Sequence, residues 1–281
     1  MYKVGINFDE ISDDFDTAVS VMKQSGVIYG ELRTLNRKNF VFWNDEEVAN
    51  FMKSIEASGI ELVAAATPLF KWYYTSDAPE VAHDNFGFNP RLSKAEKIQT
   101  IDRTIEIAAQ LKIPRLRIFS GLGKILNAGE FFARDELLEY ALNRADEHSI
   151  DLYLENEPVC RVHTKQDITR LLTSNQHQRL KFWFDIANLI EIGEELDEDF
   201  LRAISPRLGY LHIKDFVIID GKKQYVPAAE GIIEYKRILS SILEVVHDVV
   251  ITVETHAPED KKIEYSERSI AGTNAILDSI R

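Results

Sequence analysis

Four apolar runs in the second half of the chain carry, at or near their ends, a residue able to ligate a metal ion. Leu152-Tyr153-Leu154 leads into Glu155, Phe182-Trp183-Phe184 into Asp185, Tyr210-Leu211 into His212, and Ile251-Thr252-Val253 into Glu254. Side chains alternate along a strand, so Leu152 and Leu154 face the helices while Tyr153, Glu155 and Glu157 face the axis. A carboxylate held against a packed interior is costly unless something positive meets it. Each ending has an ordinary explanation alone: a solvated loop acid for Glu155, which also has a rival in Glu157, or a satisfied core imidazole for His212. Four in succession at one level are not explained that way. Three carboxylates and one imidazole suit Mn²⁺, Mg²⁺, Co²⁺ or Fe²⁺, with Zn²⁺ also compatible. One divalent metal ion held by Glu155, Asp185, His212 and Glu254 is therefore the expected cofactor.

Something must bring four strand ends to one point. Short runs rich in Val, Ile, Leu and aromatic residues recur eight times, at 3–8, 27–35, 60–67, 115–120, 150–156, 180–186, 208–216 and 249–255. The stretches between them carry apolar residues at helical spacing, the pattern of repeated βα units. Such units build an open parallel sheet or a closed barrel. An open sheet binds at one switch point, whereas a barrel gathers polar residues from the C-terminal ends of many strands. Polar endings on consecutive strands favour the second, so the expected fold is α/β, a (β/α)₈ TIM barrel forming one domain over 1–281.

Asp13 and Asp14 before Phe15, Ser93 before Lys94, and Asp45 heading the stretch to Ser58 read as helix starts, and Gly26 and Gly59 as stops. The stretch 131–148 reads as one outer helix with Phe131, Leu138, Ala141, Leu142 and Ala145 on its buried stripe. The interval 70–92 is too long for an ordinary connection. With Trp72, Tyr73, Tyr74, His83, Phe86 and Phe88, it reads as a lid over the barrel mouth, or alternatively as a subunit contact in a homo-oligomer.

The formal charge of −13 repels phosphate backbones and anionic lipid surfaces, which argues against nucleic-acid and membrane partners. One cysteine, Cys160, cannot form an internal disulfide, and the chain opens on a strand-like run with no charged-then-apolar leader. No uninterrupted apolar stretch is long enough to span a bilayer. A cytoplasmic protein is expected.

The run of strands resembles the xylose isomerase-like barrel superfamily of sugar-phosphate isomerases, ketose 3-epimerases and hydroxypyruvate isomerase relatives. Leu154-Glu155-Asn156 is similar to that family's fifth-strand metal glutamate, Phe184-Asp185 to its sixth-strand aspartate, His212-Ile213-Lys214-Asp215 to its seventh-strand histidine motif, and Val253-Glu254-Thr255-His256 to its eighth-strand glutamate. Tyr29-Gly30-Glu31-Leu32-Arg33 resembles its second strand. Val226-Pro227-Ala228-Ala229-Glu230-Gly231 is similar to its Gly-Glu-Gly loop with one glycine missing. Asn188 stands where many relatives carry a histidine, three residues after the sixth-strand aspartate.

The resemblance implies a metal-dependent isomerase or epimerase of a small sugar or sugar phosphate, with Glu155 and Glu254 as the acid/base pair on opposite faces of the substrate. Glu31, Arg33, Arg117, Lys214 and His256 are expected at the same rim, holding hydroxyls, a carboxylate or a phosphate. A dehydratase of a sugar acid or dehydroshikimate-like substrate is the main alternative, because the same enediolate can expel a hydroxyl. An abasic-site endonuclease is disfavoured by Asn188, by the lack of Asp-x-His after the seventh strand and by the charge. A sugar-binding barrel without chemistry is the remaining reading.

Overall fold

The computed structural model describes residues 2–74 and 88–280. Eight parallel strands close into a ring: β1 (Tyr2–Asn7), β2 (Tyr29–Leu32), β3 (Glu61–Ala65), β4 (Arg115–Ile118), β5 (Asp151–Glu155), β6 (Leu180–Asp185), β7 (Leu208–Ile213) and β8 (Val249–Val253). Each pairs with its neighbours in sequence, and β1 closes onto β8 with Tyr2 opposite Val249 and Ile6 opposite Val253. All eight expected runs contain a barrel strand, and the fold is the (β/α)₈ TIM barrel expected.

The alternation expected of β5 holds on β5, β6, β7 and β8. Val63, Ala64, Tyr153, Trp183, Tyr210 and Val250 pack together inside the barrel. Leu152, Leu154, Phe182, Phe184 and Leu211 belong instead to the larger core between sheet and helices. Trp183 and Tyr210 stack with ring centroids 3.5 Å apart. These rings fill the interior one step before Asp185 and His212 on their strands, so the polar residues stand on an aromatic floor.

The helices are punctuated largely as expected. Asp14 accepts the Thr17 N–H, Ser93 forms a reciprocal cap with Glu96, and Gly59 ends its helix in the left-handed region at φ 72°. Asn44, rather than Asp45, caps Asp45–Ser58, reciprocally with Glu47. The expected single helix over 131–148 is two, Ala128–Ala133 and Glu136–Glu147. Asp135 breaks it by accepting the N–H groups of Leu137 and Leu138, which starts a new helix. Phe131 consequently lies on the first piece, half-exposed, and not on the buried stripe of Leu138, Ala141, Leu142 and Ala145.

Two further runs stop short. After β2, Thr34–Leu35 pairs antiparallel with Lys38–Asn39, and after β7, Asp215–Ile219 pairs antiparallel with Lys222–Val226. The second hairpin turns at Asp220 and Gly221, both with positive φ, the geometry that Asp-Gly favours.

The interval 70–92 begins inside the core. Phe119, Gly121 and Leu122 donate N–H groups to the carbonyls of Leu69, Phe70 and Trp72, and Phe70, Trp72 and Phe88 are buried. Those three rings are therefore not the exposed aromatic surface that a subunit contact would use. His83 and Phe86 lie outside the described residues. Among the described residues, no helix is long and apolar enough to cross a membrane.

Candidate metal centre at the barrel mouth

Glu155 and Asp185 end β5 and β6, His212 is the penultimate residue of β7, and Glu254 follows β8 directly. Asp185 stands opposite His212 across the β6–β7 ladder, and His212 opposite Thr252 across β7–β8, so one level of the ring delivers the group. All four side chains are buried, and one ligand atom from each lies within 4.8 Å of all the others. His212 Nδ1 is 3.2 Å from Glu155 Oε1, 3.5 Å from Glu254 Oε2 and 3.8 Å from Asp185 Oδ2.

Local hydrogen bonds aim these groups. Asp185 Oδ1 accepts the Asn188 N–H at 2.9 Å and so caps the helix Ile186–Glu191, which leaves Oδ2 turned to the site. Asn156 grips the backbone of Asp185 from both sides, donating to its carbonyl at 2.9 Å and accepting its N–H at 2.8 Å. Glu155 Oε2 and Asp185 Oδ2 are buried without an aligned hydrogen bond, although Arg117 Nη1 lies 3.0 Å from the first and Lys214 Nζ 2.8 Å from the second. Convergent carboxylate oxygens with spare lone pairs, facing one imidazole nitrogen, fit a divalent ion.

Three permanent cations flank the group. Arg117 meets Glu155, Lys214 meets Asp185 and, at 3.2 Å, Glu254, and Arg33 Nη1 meets Glu254 Oε1 at 2.8 Å. Burial opposes ionisation of Glu155, but Arg117 and His212 outweigh it and hold the carboxyl down at about 2. Glu254 is likewise held well below the usual carboxylate range, Lys214, His256 and His212 overcoming its burial. Asp185 goes the other way: burial raises it, assisted by Glu155, against the pull of Lys214 and His212.

A cavity of about 190 Å³ opens above these residues, lined by Arg33, Arg117, Lys214 and His256 together with Glu155 and Glu254. Four of the five expected rim residues thus line the mouth. Glu31 does not. It is fully buried, its oxygens 3.1 and 3.3 Å from His212 Nε2, below the rim at which it was expected. Glu157, the rival to Glu155, lies on the cavity wall 4.0 Å from Lys71 and is not part of the four-residue group. A larger hollow of about 1140 Å³ beside Tyr73, Lys97 and Phe131 abuts Tyr74, where the described chain breaks off, and holds none of this chemistry.

Sequence reasoning missed Asp9 and Glu10, which follow β1 as buried acids. Arg33 Nε donates to Asp9 at 3.0 Å and Nη2 to Glu10 at 2.5 Å, while the other Glu10 oxygen accepts the N–H groups of Thr255 and His256. Glu10 thereby pins His256, whose backbone takes a left-handed φ of 48° and whose ring stacks on Tyr225. A pair of acids directly after an apolar strand was the available signal.

The sequence profile of the xylose isomerase-like TIM barrel family matches residues 19–275. The chain belongs to this family. No curated protein matches it in sequence. Among solved structures, the IolI protein with a bound zinc atom is similar at a TM-score of 0.77 and 16% identity, covering 99% of each chain. An L-ribulose 3-epimerase gives 0.74 and 14% identity over 100% of this chain and 96% of its own. The probable 3-DHS dehydratase AsbF of Bacillus anthracis gives 0.71 and 16% identity over 96% and 98%. Identities this low establish the shared fold alone.

Proposed function

We propose that this family member is a divalent-metal-dependent isomerase or epimerase of a small sugar or sugar phosphate, using Glu155 and Glu254 for proton transfer. The observation that carries the reading is the buried Glu155–Asp185–His212–Glu254 group at the floor of the mouth cavity. Its oxygen-rich donors support Mn²⁺, Mg²⁺ or Co²⁺, and the zinc in the IolI structure supports Zn²⁺ as well. An ion bound there supplies a Lewis acid that stabilises the enediolate left when a carbon beside a carbonyl loses its proton.

The protein's own residues supply the rest. Glu155 and Glu254 come from strands three places apart in the ring and so flank a substrate from different sides. Arg117 beside Glu155 and Lys214 beside Glu254 keep them ionised, so that each can accept a proton. His256 and Lys214 remain on the wall to hold substrate oxygens, as does Asn188, whose buried Nδ2 has no hydrogen-bond partner. The cavity's modest volume favours a single small sugar over a polymer.

Dehydration of a sugar acid is the second reading, favoured by Arg33, Arg117 and Lys214 together in one small mouth, which suits a substrate carboxylate. Mass spectrometry separates the two after incubation of the Mn²⁺-loaded protein with ketopentoses, ketohexoses, their phosphates and inositol-derived ketones. An isomer whose mass is unchanged in H₂O and which carries one carbon-bound deuteron when formed in D₂O supports the first reading. A product lighter by one water replaces it with the second, and failure to bind any divalent ion sinks both.

A further inference from the structure

Glu31 has been placed in the structure but given no task. Its carboxylate accepts from Tyr210 Oη at 2.7 Å, Thr252 Oγ1 at 2.8 Å and Asn7 Nδ2 at 3.1 Å. Those partners stand on β7, β8 and β1, so a group carried by β2 is fixed by three other strands of the ring. Its fourth neighbour is His212 Nε2. An ionised carboxylate only accepts hydrogen bonds, so the nitrogen facing it must carry the hydrogen. The opposite nitrogen, Nδ1, is the one that faces Glu155, Asp185 and Glu254.

We infer that Glu31 is a positioning residue: it holds His212 with the hydrogen on Nε2, keeps the Nδ1 lone pair aimed at the ion, and thereby sets how tightly the ion is bound. The inference rests on the proposed reading only in requiring that an ion bind there. A carboxylate behind a ligating imidazole fixes both ring orientation and tautomer, and strengthens the donor nitrogen. The Trp183 ring, edge-on to the imidazole at 4.9 Å between centroids, closes one flank and limits alternative ring positions. Thr252 and Tyr210 give Glu31 neutral donors, so its charge remains available to the imidazole.

Calorimetric titration of metal-free protein with Mn²⁺ tests this on Glu31→Gln and, as a control, Tyr210→Phe. Glu31→Gln keeps the shape but offers only a neutral acceptor, and should weaken binding by about 10- to 100-fold. Tyr210→Phe removes a neighbour of Glu31 without touching the contact to His212, and should change affinity by no more than about threefold. In zinc-loaded, ¹⁵N-histidine-labelled protein, the Nε2 proton of His212 should resonate downfield in the wild type and move upfield in Glu31→Gln. If Glu31→Gln does not fold, Glu31→Asp, which withdraws the carboxylate by one methylene, takes its place in both measurements. Folded Glu31→Gln that binds Mn²⁺ within about twofold of wild type overturns the inference. A wild type that binds ion but turns over no sugar defeats the proposed reaction and leaves this role standing, whereas a wild type that binds no ion defeats both.

Discussion

The acids at the barrel mouth do not titrate alike. Burial pushes the Asp9 carboxyl up to about 6, against the pull of Arg33 and with added repulsion from Glu10. A native group of this kind binds a proton that the unfolded chain has released, so its contribution to stability is present below the ordinary value of 3.8 and is lost as pH rises through 6. Asp9→Asn keeps an oxygen for Arg33 and removes the charge. In metal-free protein its advantage over wild type should grow by roughly 2 kcal/mol between about pH 4.5 and pH 8 in urea unfolding. A difference that stays constant with pH would mean Asp9 is ionised throughout. Glu155 and Glu254 stand at the other extreme, held ionised by cations. Glu155→Gln and Glu254→Gln preserve volume, yet each should lower kcat by about 10²- to 10⁴-fold if the residue moves the proton. Full activity in either variant removes that residue from the mechanism.

At the scale of elements, the loop after β7 shows which parts of a family motif are sterically required. Asp215 accepts the N–H groups of Phe216, Gly231 and Ile233 and organises the return toward the next helix. A Cβ on Gly231 would fall 2.1 Å from Asp215 Oδ1, so glycine persists there. Ala229, where the resemblance expects the other glycine, sits at φ 72°, a conformation costly to a residue with a Cβ. Ala229→Gly should therefore raise unfolding stability by about 0.5–1 kcal/mol, after allowing for the extra freedom glycine brings to the unfolded chain. Unchanged or lower stability would show that the surrounding loop absorbs the strain. The same scale separates what was legible in the sequence from what was not. Strand alternation and polar run endings are local, so the eight strands and the four converging polar residues could be read directly. The depth of a side chain in the barrel depends on how neighbouring strands are staggered around the closed ring, which no single run contains. Glu31, expected at the rim, accordingly lies below it against His212. The hairpin after β7 was legible in Asp220-Gly221 but hidden by the apolar continuity of 208–216, and Asp135 was overlooked as a cap that splits one helix into two.

For the whole molecule, the four-residue group ties together half of the ring, because β5, β6 and β7 and the residue after β8 each contribute one side chain. In a chain of net charge −13, gathering Glu155, Asp185 and Glu254 beside Asp9, Glu10 and Glu31 is repulsive, and Arg33, Arg117 and Lys214 offset only part of it. A divalent ion bound there would offset more, and it needs the four strands already standing together. Under the proposed reading folding and ion binding should be linked: at about 100 times Kd the native state should gain roughly 2.7 kcal/mol. For a chain of 281 residues that corresponds to a rise in Tm of about 5 °C over protein kept in chelator. Asp185→Asn should lose most of the rise while keeping its helix cap, since an asparagine oxygen still accepts the Asn188 N–H. The ligands must be deprotonated to hold the ion, so the rise should also shrink as the solution is acidified from neutrality. Scanning calorimetry with and without Mn²⁺ checks all three, and a Tm indifferent to the ion would separate this acidic cluster from metal binding altogether.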